Sequence, residues 1–280
     1  MKIIGPGLGL LAAGLAAVAS AAVLPATGAV AAAGTPPNSM ASMGDSISRG
    51  FNACGLYVDC PPRSFATGDD PAVNSEYRRI FAVHPAIAGH AFNDAKSGAK
   101  VADMPAQAAM AVSQHAEYVT MLIGANDACT SSESTMTPVS TFRQSVDTTL
   151  GTLKAGLPTA RVLLVSIPDV KRLWAAGKDT AAARDTWTLF NICQSMLANP
   201  ASTAPADTAR RDRVRQRVVD FNAALAAACA AYGANCVFDR NATFSFPFTL
   251  AQLSTWDYFH PNTAGQAVLA RLAYTAGADW

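Results

Sequence analysis

The sequence predicts a three-layer α/β/α sandwich built on a mostly parallel β-sheet. Three observations carry that prediction. Short apolar runs alternate with stretches of helical period from residue 38 to residue 276, and strands alternating with helices make parallel sheets covered on both faces. One run, Arg161 to Ile167, is β-branched and Leu-rich without polar alternation, as a strand buried on both faces requires. The chain has 280 residues, 50% hydrophobic and 15% charged, which suits one globular domain with a sizeable core.

Ahead of that domain, residues 1–33 read as a secretory signal peptide. Lys2 is the only charge before Asp45, and Ile3 to Val23 is apolar and small, broken by Gly and Pro. Ala29-Val30-Ala31 and Ala31-Ala32-Ala33 are small-x-small cleavage patterns, so the expected cut follows Ala31 or Ala33. The domain of residues 34–280 would then be found outside the cell, with 20 basic against 20 acidic residues. A membrane anchor is the alternative, since the run is about long enough to span a bilayer. No Cys follows the run to carry a lipid.

Within the domain, Asn38 to Met43 is the first strand. Gly50 to Asp70, rich in Gly, Pro, Asp and Cys, is a long loop stapled by its own Cys pair. Asn74 to Val83 starts like a helix with Ser75 as cap. His90 to Asn93 is a second strand, and Val101 to His115 is Ala- and Met-rich with helical spacing. Tyr118 to Ile123 is the next strand. Pro138 to Ala155 places Val139, Phe142, Val146, Leu150 and Leu153 on a helical period. After the strand at Arg161 to Ile167, a long amphipathic helix from Asp207 to Tyr232 carries Val214, Val218, Phe221, Leu225 and Cys229 on one face. Cys236 to Asp239 is the last strand, and Asn262 to Ala276 the closing helix, capped by Asn262 or Thr263.

Six cysteines, Cys54, Cys60, Cys129, Cys193, Cys229 and Cys236, follow the signal segment. Six allow 15 connectivities. Proximity favours Cys54 with Cys60 and Cys229 with Cys236, which leaves Cys129 with Cys193. Buried free thiols are the alternative, and an export signal argues against them. No Cys-x-x-Cys occurs and the four His are not spaced as ligands, so no metal site is expected. A formal net charge of +1 with no basic stripe argues against nucleic acid as a partner.

Four short motifs carry the chemistry. Gly44-Asp45-Ser46 ends the first strand, Ser97-Gly98 follows the second, Gly124-Ala125-Asn126-Asp127 ends the third, and Asp257-Tyr258-Phe259-His260-Pro261 precedes the last helix. Open parallel sheets bind ligands beyond the carboxyl ends of their strands, where the first three of these motifs lie. Ser46 in a turn can expose its hydroxyl, and a helix starting behind it would offer N–H groups to an oxyanion. A free Ser is a poor nucleophile and needs a base; His260 is the one His inside a polar loop motif. Asp257, three residues earlier, can take the Nδ1 proton of His260. Gly98 can bring its N–H close to a substrate oxygen, and Asn126 can aim its amide at the same atom.

Taken singly, each motif has a plainer reading. Asn126 could be an Asx-turn residue and Asp257 a helix-capping one. Together and in this order they resemble the SGNH, or GDSL, hydrolase family, in its secreted actinobacterial esterase and lipase form. Arg63-Ser64-Phe65 near Gly68-Asp69, Ile123 to Cys129 and Asp257 to Pro261 are also similar to motifs of its phospholipase B-like branch. The chain departs from that branch at Phe65, Ala125 and Ala128.

The resemblance implies a flavodoxin-like fold and a Ser46–His260–Asp257 triad. The oxyanion hole would be formed by the Ser46 and Gly98 N–H groups and the Asn126 side chain. It also implies a monomeric, cofactor-free enzyme acting on ester substrates, lipids among them, without stable membrane insertion. In some secreted members a backbone carbonyl replaces the acid, and Trp256 keeps that variant open. Phe65, Met136, Phe246 and Phe248 are candidates for an acyl pocket. A carbohydrate O-deacetylase with the same triad, a non-catalytic cell-envelope module and a peptidase are the rival functions. No Gly-x-Ser-x-Gly occurs, which argues against an α/β-hydrolase elbow.

Overall fold

Five parallel strands in the order β2-β1-β3-β4-β5 form the centre of the structure, a computed structural model that describes residues 1–5, 7 and 34–279. Residues 1–5 and 7 form no helix or strand, and the rest of the expected signal segment lies outside the described residues. The strands are β1 (Met40–Gly44), β2 (Ala91–Asn93), β3 (Tyr118–Leu122), β4 (Arg161–Leu164) and β5 (Cys236–Phe238). β1 and β3 are buried at every position, so both faces of the sheet are covered.

Between the strands run α1 (Glu76–Val83), α2 (Met104–Ser113), α3 (Ala125–Ala128), α4 (Val139–Gly156), α5 (Val170–Gly177), α6 (Ala181–Leu189), α7 (Gln194–Leu197) and α8 (Pro205–Tyr232), and the short α9 (Ala242–Ser245) follows β5. α10 (Thr263–Gly277) closes the chain. α2, α4 and α8 pack side by side, and α1 packs on α10. The Phe142 and Phe221 rings stack at 4.0 Å where α4 meets α8. Among the described residues no helix is long and apolar enough to cross a membrane.

The local signals explain most element ends. Ser75 accepts from the Arg78 N–H at 3.1 Å and caps α1. Asn262 Oδ1 accepts from the Gly265 N–H at 3.0 Å and caps α10. The single helix expected over 101–115 is instead a 3₁₀ turn, Val101–Asp103, followed by α2. The Asp103 carboxylate accepts from the Lys100 N–H and closes that first turn, and Pro105 has no N–H for the turn before it. β4 stops at Leu164, three residues short of the end of the apolar run, and its pairing with both β3 and β5 ends there.

Strand order reverses between β1 and β3, where the chain first crosses from one side of the sheet to the other. A crevice at the carboxyl ends of the strands is expected at such a switch point. The candidate residues of β1 and β3 flank it.

Candidate active site

Gly44 ends β1 with φ +151°, and a Cβ there would overlap the Leu122 carbonyl and the Ser48 hydroxyl. Only glycine lets the chain leave β1 so close to β3. Asp45 and Ser46 follow in a turn closed by the Arg49 N–H on the Asp45 carbonyl at 3.1 Å and the Phe51 N–H on the Ser46 carbonyl at 2.9 Å. Residues 46–54 form turns, so no helix N-terminus stands directly behind Ser46. Gly98 has φ +82°, a conformation that favours glycine.

A continuous hydrogen-bonded relay crosses the crevice. Ser46 Oγ lies 2.8 Å from His260 Nε2, and His260 Nδ1 lies 2.5 Å from Asp257 Oδ2. The residue facing Nδ1 is thus the Asp257 carboxylate and not a backbone carbonyl. Asp257 is buried, and its Oδ2 also accepts from Asn52 Nδ2 at 2.7 Å. Its Oδ1 accepts from the Phe259 and His260 N–H groups, both at 3.0 Å. With the carboxylate so held, Nδ1 carries a proton toward it and Nε2 is left to accept from the Ser46 hydroxyl. The rings of Phe51 and Phe259 lie 4.9 and 5.2 Å from the imidazole and shield it.

Hydrogen bonds tie the other two motifs to this relay. The Lys96 N–H donates to the Gly44 carbonyl at 3.1 Å, joining the Gly98 loop to the nucleophile strand. Asn126 Nδ2 donates to the Ala99 carbonyl at 2.9 Å, and Asp127 Oδ2 accepts from the Val101 N–H at 2.9 Å. One amide hydrogen of Asn126 is used in this way; the other is left for a ligand. Among the described residues the N–H groups of Ser46 and Gly98 donate to no protein acceptor. Such an arrangement can remove a proton from a hydroxyl and offer donors to an oxygen gaining charge.

Two buried carboxylates sit behind the serine. Asp45 is inaccessible to solvent, and its Oδ1 accepts from the Ile47 N–H at 2.9 Å. Burial pushes its carboxyl up to about 6. Asp127 is raised for the same reason. Among the described residues no group of His, Cys, Asp or Glu side chains is arranged to hold a metal ion.

An apolar cavity of about 50 Å³ is lined by Ile47 and Phe259, the neighbours of Ser46 and His260 in the chain, with Val170, Leu173, Phe248 and others. Of the four residues offered as acyl-pocket candidates, Phe248 lines this cavity, and Phe246 packs on it with ring centres 4.8 Å apart. Phe65 and Met136 do not line it. Phe65 lies in the core, where its N–H donates to Gln266 Oε1 at 2.9 Å, and Met136 is buried there too.

The six cysteines form three bridges, Cys54–Cys60, Cys129–Cys193 and Cys229–Cys236. The first staples the loop that carries Asn52. The second joins the end of α3, three residues after Asn126, to the start of α7. Asn52 and Gln107, which bonds Gly44, carry no motif in the sequence. A polar residue inside the Ala- and Met-rich stretch of α2 was the only available signal for Gln107.

The profile described as the GDSL-like Lipase/Acylhydrolase family matches residues 42–268. Among solved structures, the chain is similar to an extracellular lipase from Streptomyces rimosus, with a TM-score of 0.51 and 17% identity over 85% of this chain and 99% of that one. It is also similar to a family 3 carbohydrate esterase from Clostridium thermocellum (TM-score 0.49, 11% identity, 85% of this chain and 94% of that one). A third likeness is to phospholipase A1 from Streptomyces albidoflavus NA297 (TM-score 0.47, 17% identity, 84% and 96%). No curated protein matches.

Proposed function

Because the chain belongs to the GDSL-like lipase/acylhydrolase family, we propose that it is an exported serine esterase that acts on lipid-like carboxylic esters. The observation that carries this reading is the relay from Ser46 Oγ through His260 to Asp257, at 2.8 and 2.5 Å. His260 Nε2 takes the Ser46 proton as Oγ adds to the ester carbonyl. The Ser46 and Gly98 N–H groups and the Asn126 amide receive the oxyanion. The intermediate collapses as His260 returns the proton to the departing alcohol, leaving an acyl-Ser46. Water then attacks with His260 as base, and the acid departs as Ser46 regains its proton.

Two features favour an apolar acyl group. The cavity has an apolar wall from Ile47, Val170, Leu173 and Phe248. On the outer side, Leu56, Tyr57, Val58 and Trp256 are each at least 50% exposed. The Tyr57 ring lies 5.0 Å from that of Phe51 and 6.5 Å from that of Trp256, so an apolar track leads outward from His260. Export is supported by the small-x-small sites before residue 34 and by the three disulfides.

A p-nitrophenyl ester panel with Ser46→Ala alongside tests the reading. We expect activity to extend to acyl chains of about eight carbons, and Ser46→Ala to cut kcat about 10⁴-fold or more. A steep preference for acetate would move the assignment to a deacetylase. Activity of Ser46→Ala within tenfold of the parent would remove Ser46 from the mechanism.

A further inference from the structure

Gly44 has both of its peptide polar groups bound by one buried side chain. Gln107, on α2, accepts from the Gly44 N–H through Oε1 at 2.7 Å and donates to the Gly44 carbonyl through Nε2 at 3.0 Å. The same carbonyl accepts from the Lys96 N–H at 3.1 Å. Gly44 lies two residues before Ser46 and Lys96 two before Gly98. The strand that presents one proposed oxyanion donor and the loop that presents the other therefore meet at this carbonyl, with Gln107 as the third member, while the Asp94 N–H on the Ser42 carbonyl and Asn93 Nδ2 on the Ser48 carbonyl, both at 2.9 Å, also join them.

The rest of the turn is held just as closely. The Ile47 N–H is taken by Asp45 Oδ1 at 2.9 Å and the Ile47 carbonyl by Gln266 Nε2 at 2.9 Å. The Phe51 N–H occupies the Ser46 carbonyl. With its neighbours fixed, the Ser46 N–H has a set direction, and Gly44 is the point where that direction meets the Gly98 loop.

We propose that Gln107 is a positioning residue for ester hydrolysis, setting the spacing between the Ser46 and Gly98 N–H groups that receive the oxyanion. The proposal rests on the reading of Ser46 as nucleophile. Oxyanion donors act where charge develops, and they serve best at about 2.7–3.1 Å from the oxygen in the transition state. A neutral ground-state carbonyl responds weakly to a small change in their spacing, whereas the tetrahedral oxyanion responds strongly. Loosening Gly44 should therefore lower kcat and leave KM almost alone.

Gln107→Met keeps the length of the side chain and removes both bonds. Gln114→Met is the control: the Gln114 side chain donates through Nε2 to Asp94 Oδ1 at 2.7 Å, outside the four motifs. Steady-state kinetics on a soluble short-chain p-nitrophenyl ester would be read with melting curves, and Ser46→Ala run in parallel. For Gln107→Met we expect kcat to fall about 10- to 100-fold, between the effects of a lost hydrogen bond and a lost oxyanion donor, with KM within about twofold. Gln114→Met should keep the parental kcat whatever its melting temperature. If Gln107→Met does not fold, Gln107→Glu, which retains the acceptor and loses the donor, is read by the same split. Parental kcat in the folded variant, a rise in KM alone, or failure of both variants to fold would overturn the proposal. Residual turnover by Ser46→Ala would instead show that the underlying reading of Ser46 has failed.

Discussion

At the scale of single residues, Asn126 separates chemistry from architecture. Its Nδ2 holds the Ala99 carbonyl at 2.9 Å while one amide hydrogen remains for a ligand. Asn126→Ala should lower kcat about 10²- to 10³-fold with little change in KM, because the lost bond tightens only as charge builds on the substrate oxygen. A lowered melting temperature with normal kcat in the folded fraction would make Asn126 a structural residue. Asp257→Asn tests the other end of the relay. The carboxylate accepts four hydrogen bonds, two of them on Oδ2, and an amide cannot accept at both positions. Its kcat should fall by up to about 10⁴-fold through loss of the right imidazole tautomer, and a loss of only a few-fold would exclude that role. Ser46, Gly98, Asn126, Asp257 and His260 were legible because each sits in a short motif of fitting chemistry. Asn52 and Gln107 were not, because their partners lie 205 and 63 residues away and only the folded chain joins them.

At the scale of elements, the Cys129–Cys193 bridge has the largest expected effect on stability. It spans 64 residues, against 6 and 7 for the other two bridges. The chain-entropy relation gives about 4 kcal/mol for a loop of that length and about 2 kcal/mol for the short ones. Replacing Cys129 and Cys193 with Ser should therefore lower the melting temperature more than replacing Cys229 and Cys236; the reverse order would overturn the assignment. All five strands could be read from their apolar runs, and the long helices α4 and α8 from their period. The stretch from Val170 to Leu197 was not resolved into α5, α6 and α7 beforehand. These helices have 8, 9 and 4 residues, too few turns for a stripe to stand out.

At the scale of the whole molecule, buried acids set the response to pH. Glu76 is inaccessible to solvent, accepts from the Tyr118 hydroxyl at 2.6 Å, and is pushed by burial up to about 7 from an ordinary 4.5. Between those values the folded chain keeps a proton that the unfolded chain has lost, so folding stability falls as pH rises through that range. Asp45 adds the same sign between 3.8 and about 6. The protein should be more stable at pH 5 than at pH 8, with Glu76 contributing on the order of 3 kcal/mol. Glu76→Gln should flatten the melting profile across that range, and an unchanged slope would contradict this account. A different consequence follows from where the cavity wall comes from. Val170 and Leu173 belong to α5 and Phe248 to the loop after α9, segments that carry none of Ser46, Gly98, Asn126 or His260. Ile47 and Phe259, next to Ser46 and His260, complete that wall; a library confined to α5 and the loop after α9 would therefore vary only the part of the cavity that is remote in sequence from the reacting groups and leave their own stretches of chain untouched.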